Sequence, residues 1–94
     1  METLEMKMHK GICDQLHDTY VRKNSDYGDS FSKMFEKFGL LSSFIRLNDK
    51  LNRVESLMNK EQQVPDESVE DTLLDMANYC ILTVIELRKE HGDC

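Results

Sequence analysis

The sequence predicts an all-α protein: a small bundle of three long helices and one short helix, completed by oligomerisation. Three long stretches repeat apolar residues at steps of three and four, the spacing of one face of an α-helix. A chain of 94 residues buries only about 60–65% of its unfolded surface when it folds alone. Helices this apolar in so short a chain predict that another copy completes the core. Residues 1–94 form one domain, without repeats or low-complexity tracts.

The composition argues against several classes of function. A net charge of −6 gives no general attraction to nucleic acid. No apolar run approaches the roughly 20 residues that span a bilayer, and the N-terminus lacks a signal-peptide core, so we expect no membrane partner. The three cysteines lack CxxC spacing, which predicts reduced thiols in a cytoplasm, with Cys80 in the core.

The first long helix is predicted from Glu2 to about Arg22. Its apolar face follows steps of four through Leu4, Met8, Ile12, Leu16 and Tyr20. Glycine in mid-helix costs about 1 kcal/mol relative to alanine. We therefore expect Gly11 to mark close packing against a neighbouring element.

Residues 23–30 break the periodicity and are rich in turn-forming residues. One interpretation is a rigid loop that presents Lys23, Asp26 and Tyr27 to a ligand, with the Tyr27 ring as a stacking surface. The other is a plain connector whose last residues cap the next helix.

The short helix is predicted from Phe31 to Phe38. Gly39 fits the left-handed residue that follows a last helical turn. All four phenylalanines of the chain lie within residues 31–44, so we expect this segment to close one end of the bundle.

The third helix is predicted to begin at Ser42 or Ser43 and to end near Asn59. Its apolar residues have the spacing of a bundle seam, and they are Phe44, Leu47, Leu51, Val54 and Met58. A second stripe is charged and consists of Arg46, Asp49, Lys50 and Arg53. Asp49 and Arg53 of this stripe could simply pair along the surface, for a few tenths of a kcal/mol.

The last helix is predicted from Glu67 to Glu90, with Ser68 or Asp66 as its N-cap and Gly92 after its end. One stripe at helical spacing is polar and consists of Glu67, Asp71, Asp75 and Asn78. The opposite face is apolar and consists of Val69, Leu73, Met76, Cys80, Val84 and Leu87. Leu82 and Ile85 then continue the polar stripe as apolar residues, which makes that part of the helix apolar on two sides. A helix that is apolar on two sides is normally buried. An unpaired buried carboxylate costs several kcal/mol, so a metal ion, a cationic face or protons must neutralise the stripe.

Three explanations of the two charged stripes remain open. The stripes could face each other and form interhelical ion pairs, which specify packing without much net stability. They could bind Mg²⁺ through carboxylate oxygens and phosphate through arginine and lysine, and so hydrolyse a phosphate ester. They could also bind a nucleotide without turning it over.

Three ordered motifs resemble the nucleotide modification associated domain 1 family, which is found largely in bacteriophages and bacteria. They are the segments KNSDYGDSF at 23–31, RLNDKLNR at 46–53 and ESVEDTLLDMANY at 67–79. The resemblance covers about residues 20–88. It implies nucleotide handling in the cytoplasm, which is that of the bacterial host if the protein is phage-encoded.

The layout is also loosely similar to the MazG-like all-α nucleoside triphosphate pyrophosphohydrolases. Those enzymes bind Mg²⁺ through acids on two successive helices and act as dimers or tetramers, which implies a homodimer or tetramer here. Carried onto this chain, the resemblance implies metal ligands at Glu67, Glu70, Asp71, Asp75 and Asp49, with Asp71 and Glu70 in catalysis. The substrate-binding residues would be Lys23, Asp26, Tyr27, Arg46, Lys50, Arg53 and Asn78. The chain departs from the family on its third helix, where Asp49 stands among basic residues instead of clustered glutamates.

The expected function is therefore Mg²⁺-dependent hydrolysis of a (deoxy)nucleoside triphosphate to the monophosphate and pyrophosphate. The alternatives are a nucleotide-binding or sequestering protein without catalysis, and a structural or protein-binding bundle.

Overall fold

The computed structural model describes residues 1–24, 29–59 and 68–92, and these residues form an all-α bundle. Helix α1 spans Leu4–Arg22, the short α2 spans Ser30–Phe38, α3 spans Leu40–Asn59 and α4 spans Val69–Glu90. Three long helices and one short helix confirm the predicted fold class. None of the described helices is long and apolar enough to cross a bilayer.

Local capping explains where these helices begin and end. The Thr3 hydroxyl accepts a hydrogen bond from the backbone N–H of Met6 and starts α1 two residues later than predicted. Ser68 caps α4 as predicted: its hydroxyl accepts from the Asp71 N–H at 3.0 Å, while the Asp71 carboxylate accepts from the Ser68 N–H at 3.2 Å. This reciprocal pair satisfies two of the backbone donors that a helix start leaves open.

Gly39 both ends α2 and begins α3. Its N–H donates to the Phe35 carbonyl at 2.7 Å, and its own carbonyl accepts from the backbone N–H and the hydroxyl of Ser42. Its φ of 65° and ψ of −151° lie in a region that only glycine occupies readily. The predicted role of Gly39 is confirmed, and α3 follows at Leu40, before the predicted Ser42 or Ser43.

The most extensive packing between helices is that of α3 against α4. Helix α2 contacts both, and α1 rests on α4 through fewer contacts. The buried apolar cluster is small, with Phe31 and Phe35 of α2 against Leu82 of α4. Tyr20, Tyr79 and Leu87 pack around it.

Several residues expected in the interior lie at the surface of the described chain. They are Leu4, Met8 and Ile12 of α1, Phe38 of α2, Phe44, Leu51 and Met58 of α3, and Leu73, Cys80 and Val84 of α4. Gly11 also has no neighbour within 4 Å of the position where a Cβ would stand, so it marks no close contact. Helical periodicity identified these faces as apolar, but it does not specify whether the same chain covers them.

The inner faces are instead largely polar. Ser42 and Ser43 are the buried residues of α3, and four of the five buried residues of α4 are polar: Thr72, Asn78, Thr83 and Glu86. The radius of gyration is 15.2 Å, against about 12 Å for a compact chain of this length. The single chain is thus loosely packed, with largely polar contacts between its helices and many apolar side chains at its surface.

Candidate functional site

The candidate site is the interface between α3 and α4, which we call the polar seam. It comprises Ser43, Arg46 and Lys50 on α3 and Asp75, Tyr79 and Thr83 on α4. These residues meet because each set recurs at steps of three and four along its helix and so occupies one face.

Arg46 is held by aromatic rings at the centre of the polar seam. Its guanidinium carbon lies 5.4 Å from the centroid of the Tyr79 ring and 5.9 Å from that of Phe31. The two rings are stacked 5.9 Å apart, and the guanidinium also donates a 3.3 Å hydrogen bond to the Tyr79 hydroxyl. A half-buried cation over two ring faces is held by their quadrupoles. The rings therefore orient Arg46 while leaving most of its five N–H donors for another acceptor.

Lys50 and Asp75 form the ion pair of the polar seam, one helical turn away from Arg46. The ammonium nitrogen lies 3.0 Å from a carboxylate oxygen, and the side chains are 25% and 34% exposed. Because a quarter to a third of each side chain is open to water, an anion from solvent can reach the Lys50 ammonium group and compete with the carboxylate.

Buried hydroxyl and carboxylate groups fix the polar seam from behind. Thr83 Oγ1 donates to the Tyr79 carbonyl at 2.7 Å and is hydrogen-bonded to Ser43 Oγ at 2.9 Å, joining the two helices. Glu86 accepts a 2.6 Å hydrogen bond from Ser32 and so ties α2 to α4 next to Phe31. Sequence reasoning gave no role to Thr83 or Glu86, and it treated Ser43 only as a possible start of the third helix. The one available signal was the i, i+4, i+7 spacing of Tyr79, Thr83 and Glu86 on α4.

The predicted acidic stripe of α4 does not converge on one point in the described chain. Asp75 pairs with Lys50, and Asp71 is exposed and bonded to its own helix start. Glu70, predicted as a catalytic and metal-binding residue, is exposed and lies about 100° around the helix from Asp71. Asn78, predicted to bind substrate, is buried and donates to the Leu16 carbonyl of α1 at 3.3 Å.

The remaining predicted residues are spread around the polar seam. Asp49 is exposed and lines, with Arg46, an open cavity of about 530 Å³ between α2 and α3. Arg53 is exposed one turn beyond Asp49, and Lys23 is exposed at the end of α1. Asp26, Tyr27 and Glu67 lie outside the described residues.

The carboxylates of the described residues do not come together as a cluster that would hold a metal ion by protein ligands alone. No group of three or more histidine, cysteine, aspartate or glutamate side chains comes together within residues 1–24, 29–59 and 68–92. The two candidates one turn apart, Asp71 and Asp75, are already engaged by a helix cap and by Lys50. No chemical step is therefore routed through a metal, and Mg²⁺ stays a prediction.

These features define an all-α bundle protein whose two longest helices meet through a polar interface that carries an aromatic-held arginine. A family model matches residues 23–87, which include all six residues of the polar seam, and the chain belongs to the nucleotide modification associated domain 1 family. The resemblance to this family, carried by three motifs of the sequence, is thus confirmed. No curated protein and no solved structure matches the chain.

Proposed function

We propose that the polar seam binds a nucleotide through its phosphate groups. The observation that carries this proposal is the Arg46 guanidinium, which Phe31 and Tyr79 hold in place next to an exchangeable lysine. Arginine binds phosphate through paired N–H groups, and an arginine that is already oriented loses less entropy on binding. The name of the family, which associates it with nucleotide modification, supports a nucleotide as the phosphate carrier.

In this proposal an incoming phosphate takes the place of the Asp75 carboxylate on Lys50 and accepts further hydrogen bonds from Arg46. Both cations then face one phosphate chain, and Asp75 no longer contacts Lys50. The exchange conserves the charge contacts of Lys50, because one anionic oxygen replaces another at hydrogen-bond distance.

Binding is the version of nucleotide handling that this geometry supports best. Mg²⁺-dependent hydrolysis to a monophosphate and pyrophosphate remains the second candidate, with Asp71 and Glu70 as its predicted catalytic residues. The exposed position of Glu70 at the first turn of α4 favours it, whereas Asp71, also exposed, would have to give up its hydrogen bond to the Ser68 N–H. We also propose a homodimer or tetramer, because the single chain leaves much apolar surface uncovered.

Calorimetric titration with nucleoside and deoxynucleoside mono- and triphosphates tests binding. Arg46→Lys keeps the charge but loses the planar fork, so we expect affinity to fall about tenfold. Arg22→Lys, at an exposed position on α1, is the matched control and should leave affinity unchanged. Equal affinity of wild type and Arg46→Ala for every nucleotide, or no binding at all, would contradict the proposal.

Measuring pyrophosphate release with and without Mg²⁺ separates binding from hydrolysis. Asp71→Asn keeps an oxygen for the helix cap while removing the carboxylate, so a loss of release would reflect chemistry and not unfolding. Nucleotide binding without any product would retain the binding proposal and reject the hydrolytic one.

A further inference from the structure

Helix α4 presents an apolar surface on the side that faces away from α3. Within an arc of about 120° around the helix lie six apolar side chains. We call them the outer face of α4: Leu73, Leu74, Ala77, Ile81, Val84 and Ile85. Four of the six are exposed, with Leu73 at 50% and Ile81 at 47%. An apolar face of this length, opposite a polar inner face, is the arrangement of a helix that packs against a further partner.

One charged residue stands at each end of the outer face. Glu70 lies in its first turn and Arg88 in its last, within the same arc. Neither side chain forms an ion pair with another residue of the described chain. The face is thus bounded by two opposite charges 18 positions apart, or about 27 Å along the helix.

The residues of the outer face are arranged symmetrically about position 79. Glu70 and Arg88 stand at equal distances from it, as do Leu73 and Ile85, Leu74 and Val84, and Ala77 and Ile81. Two antiparallel copies of α4, related by a two-fold axis level with position 79, would bring the members of each pair to the same height along the interface and would place Glu70 and the partner's Arg88 on its midline. Any α-helix spaces its positions in this way, so the specific feature of this helix is that the two midline charges are opposite and therefore complementary in an isologous pair.

We infer that a second copy of this chain covers the outer face of α4, with the two α4 helices antiparallel. Each Glu70 then lies beside the partner's Arg88, at both ends of the interface. A parallel arrangement would bring Glu70 to the partner's Glu70 and Arg88 to the partner's Arg88, which like-charge repulsion disfavours. The small Ala77 near the centre lets the two helix backbones approach closely.

A groove next to the outer face extends the apolar surface that a second helix would cover. It lies between α1 and α4, has a volume of about 240 Å³, and is lined by Leu16 and Tyr20 of α1 and by Ile81 and Ile85 of α4. The last two residues also belong to the outer face, so groove and face are continuous. A helix seated on the outer face would therefore cover the mouth of the groove as well.

This inference stands independently of nucleotide binding in the polar seam, which is on a different side of α4, although Glu70 is also a predicted catalytic residue of the hydrolytic candidate. Sedimentation velocity of the wild-type chain without ligand is the first measurement, and we expect a dimer or a multiple of it. Ala77→Glu would place two carboxylates near the axis, and we expect it to abolish the dimer while far-UV circular dichroism still reports helix. A wild-type chain that stays monomeric at all concentrations up to about 100 μM would overturn the inference, because even a weak specific dimer forms at that concentration.

Charge reversal tests the antiparallel register. Glu70→Arg or Arg88→Glu alone places like charges together, and we expect the dimer dissociation constant to rise about tenfold. The double variant Glu70→Arg/Arg88→Glu restores opposite charges and should return the constant to near its original value. Glu36→Arg, an exposed reversal on α2, is the control and should have no effect. Single reversals that leave the constant unchanged, or a double variant that adds their effects, would overturn the register.

Discussion

At the scale of single residues, the polar seam depends on groups whose role is visible only in three dimensions. Arg46 belongs to a predicted basic stripe, but what distinguishes it from Arg53 is the pair of rings beneath it. Phe31 comes from α2 and Tyr79 from α4, 48 positions apart in the chain. Such a contact cannot be inferred from periodicity, which describes one helix at a time.

Glu86 is the buried charge that fixes α2 against α4. Its side chain is 9% exposed, accepts from Ser32 at 2.6 Å and pairs with Lys89 at 3.2 Å. Removing it leaves the half-buried Ser32 hydroxyl without that acceptor, at a cost of about 1–3 kcal/mol.

We therefore expect Glu86→Ala to lower the free energy of unfolding by about that amount, measured by urea denaturation at a fixed protein concentration. Glu86→Gln keeps an acceptor for Ser32 and should cost less. Glu90→Ala, at an exposed position of the same helix, is the control. An unfolding free energy that is the same for all three variants would show that the buried carboxylate does not hold α2.

At the scale of elements, the ends of helices were the most predictable features. Ser68 and Gly39 act through neighbours within a few residues, so their roles follow from local sequence. The inward face of α3 was predicted less well. Leu47 and Val54 are half-buried, but Phe44, Leu51 and Met58 of the same predicted seam are exposed.

Two glycines provide a matched test of backbone conformation. Neither Gly11 nor Gly39 has an atom within 4 Å of a would-be Cβ, so alanine meets no steric obstacle at either position. Gly39 has a positive φ, and we expect Gly39→Ala to destabilise the fold by about 1–3 kcal/mol. Gly11 lies inside α1, and we expect Gly11→Ala to stabilise it by about 0.5–1 kcal/mol.

Thermal and urea unfolding of both variants check the pair. Opposite signs of the change in unfolding free energy are the expected result. A stabilising Gly39→Ala would mean that the α2–α3 junction does not need the conformation described here.

At the scale of the whole molecule, the fold class was predictable and the distribution of its surfaces was not. Apolar periodicity predicts the four helices regardless of which element or which chain covers their apolar faces. It led us to place Leu73, Cys80 and Val84 inside, whereas the described chain exposes them and buries Thr72, Thr83 and Glu86 instead. The acidic stripe was likewise expected to converge on a cation, and Lys50 is the cation that meets Asp75.

The hydrogen bond from the Asn78 side chain to the Leu16 carbonyl affects how easily α1 detaches from the other helices. It joins α1 to a bundle that α1 otherwise touches sparsely, and α1 up to Arg22 precedes the segment that the family model matches. Amide protons of α1 should exchange with deuterium sooner than those of α3 and α4, because local detachment requires less free energy than global unfolding. Asn78→Ala should widen that gap in hydrogen–deuterium exchange measured by mass spectrometry. Uniform protection across all helices would mean that α1 and the rest of the bundle unfold as one cooperative unit.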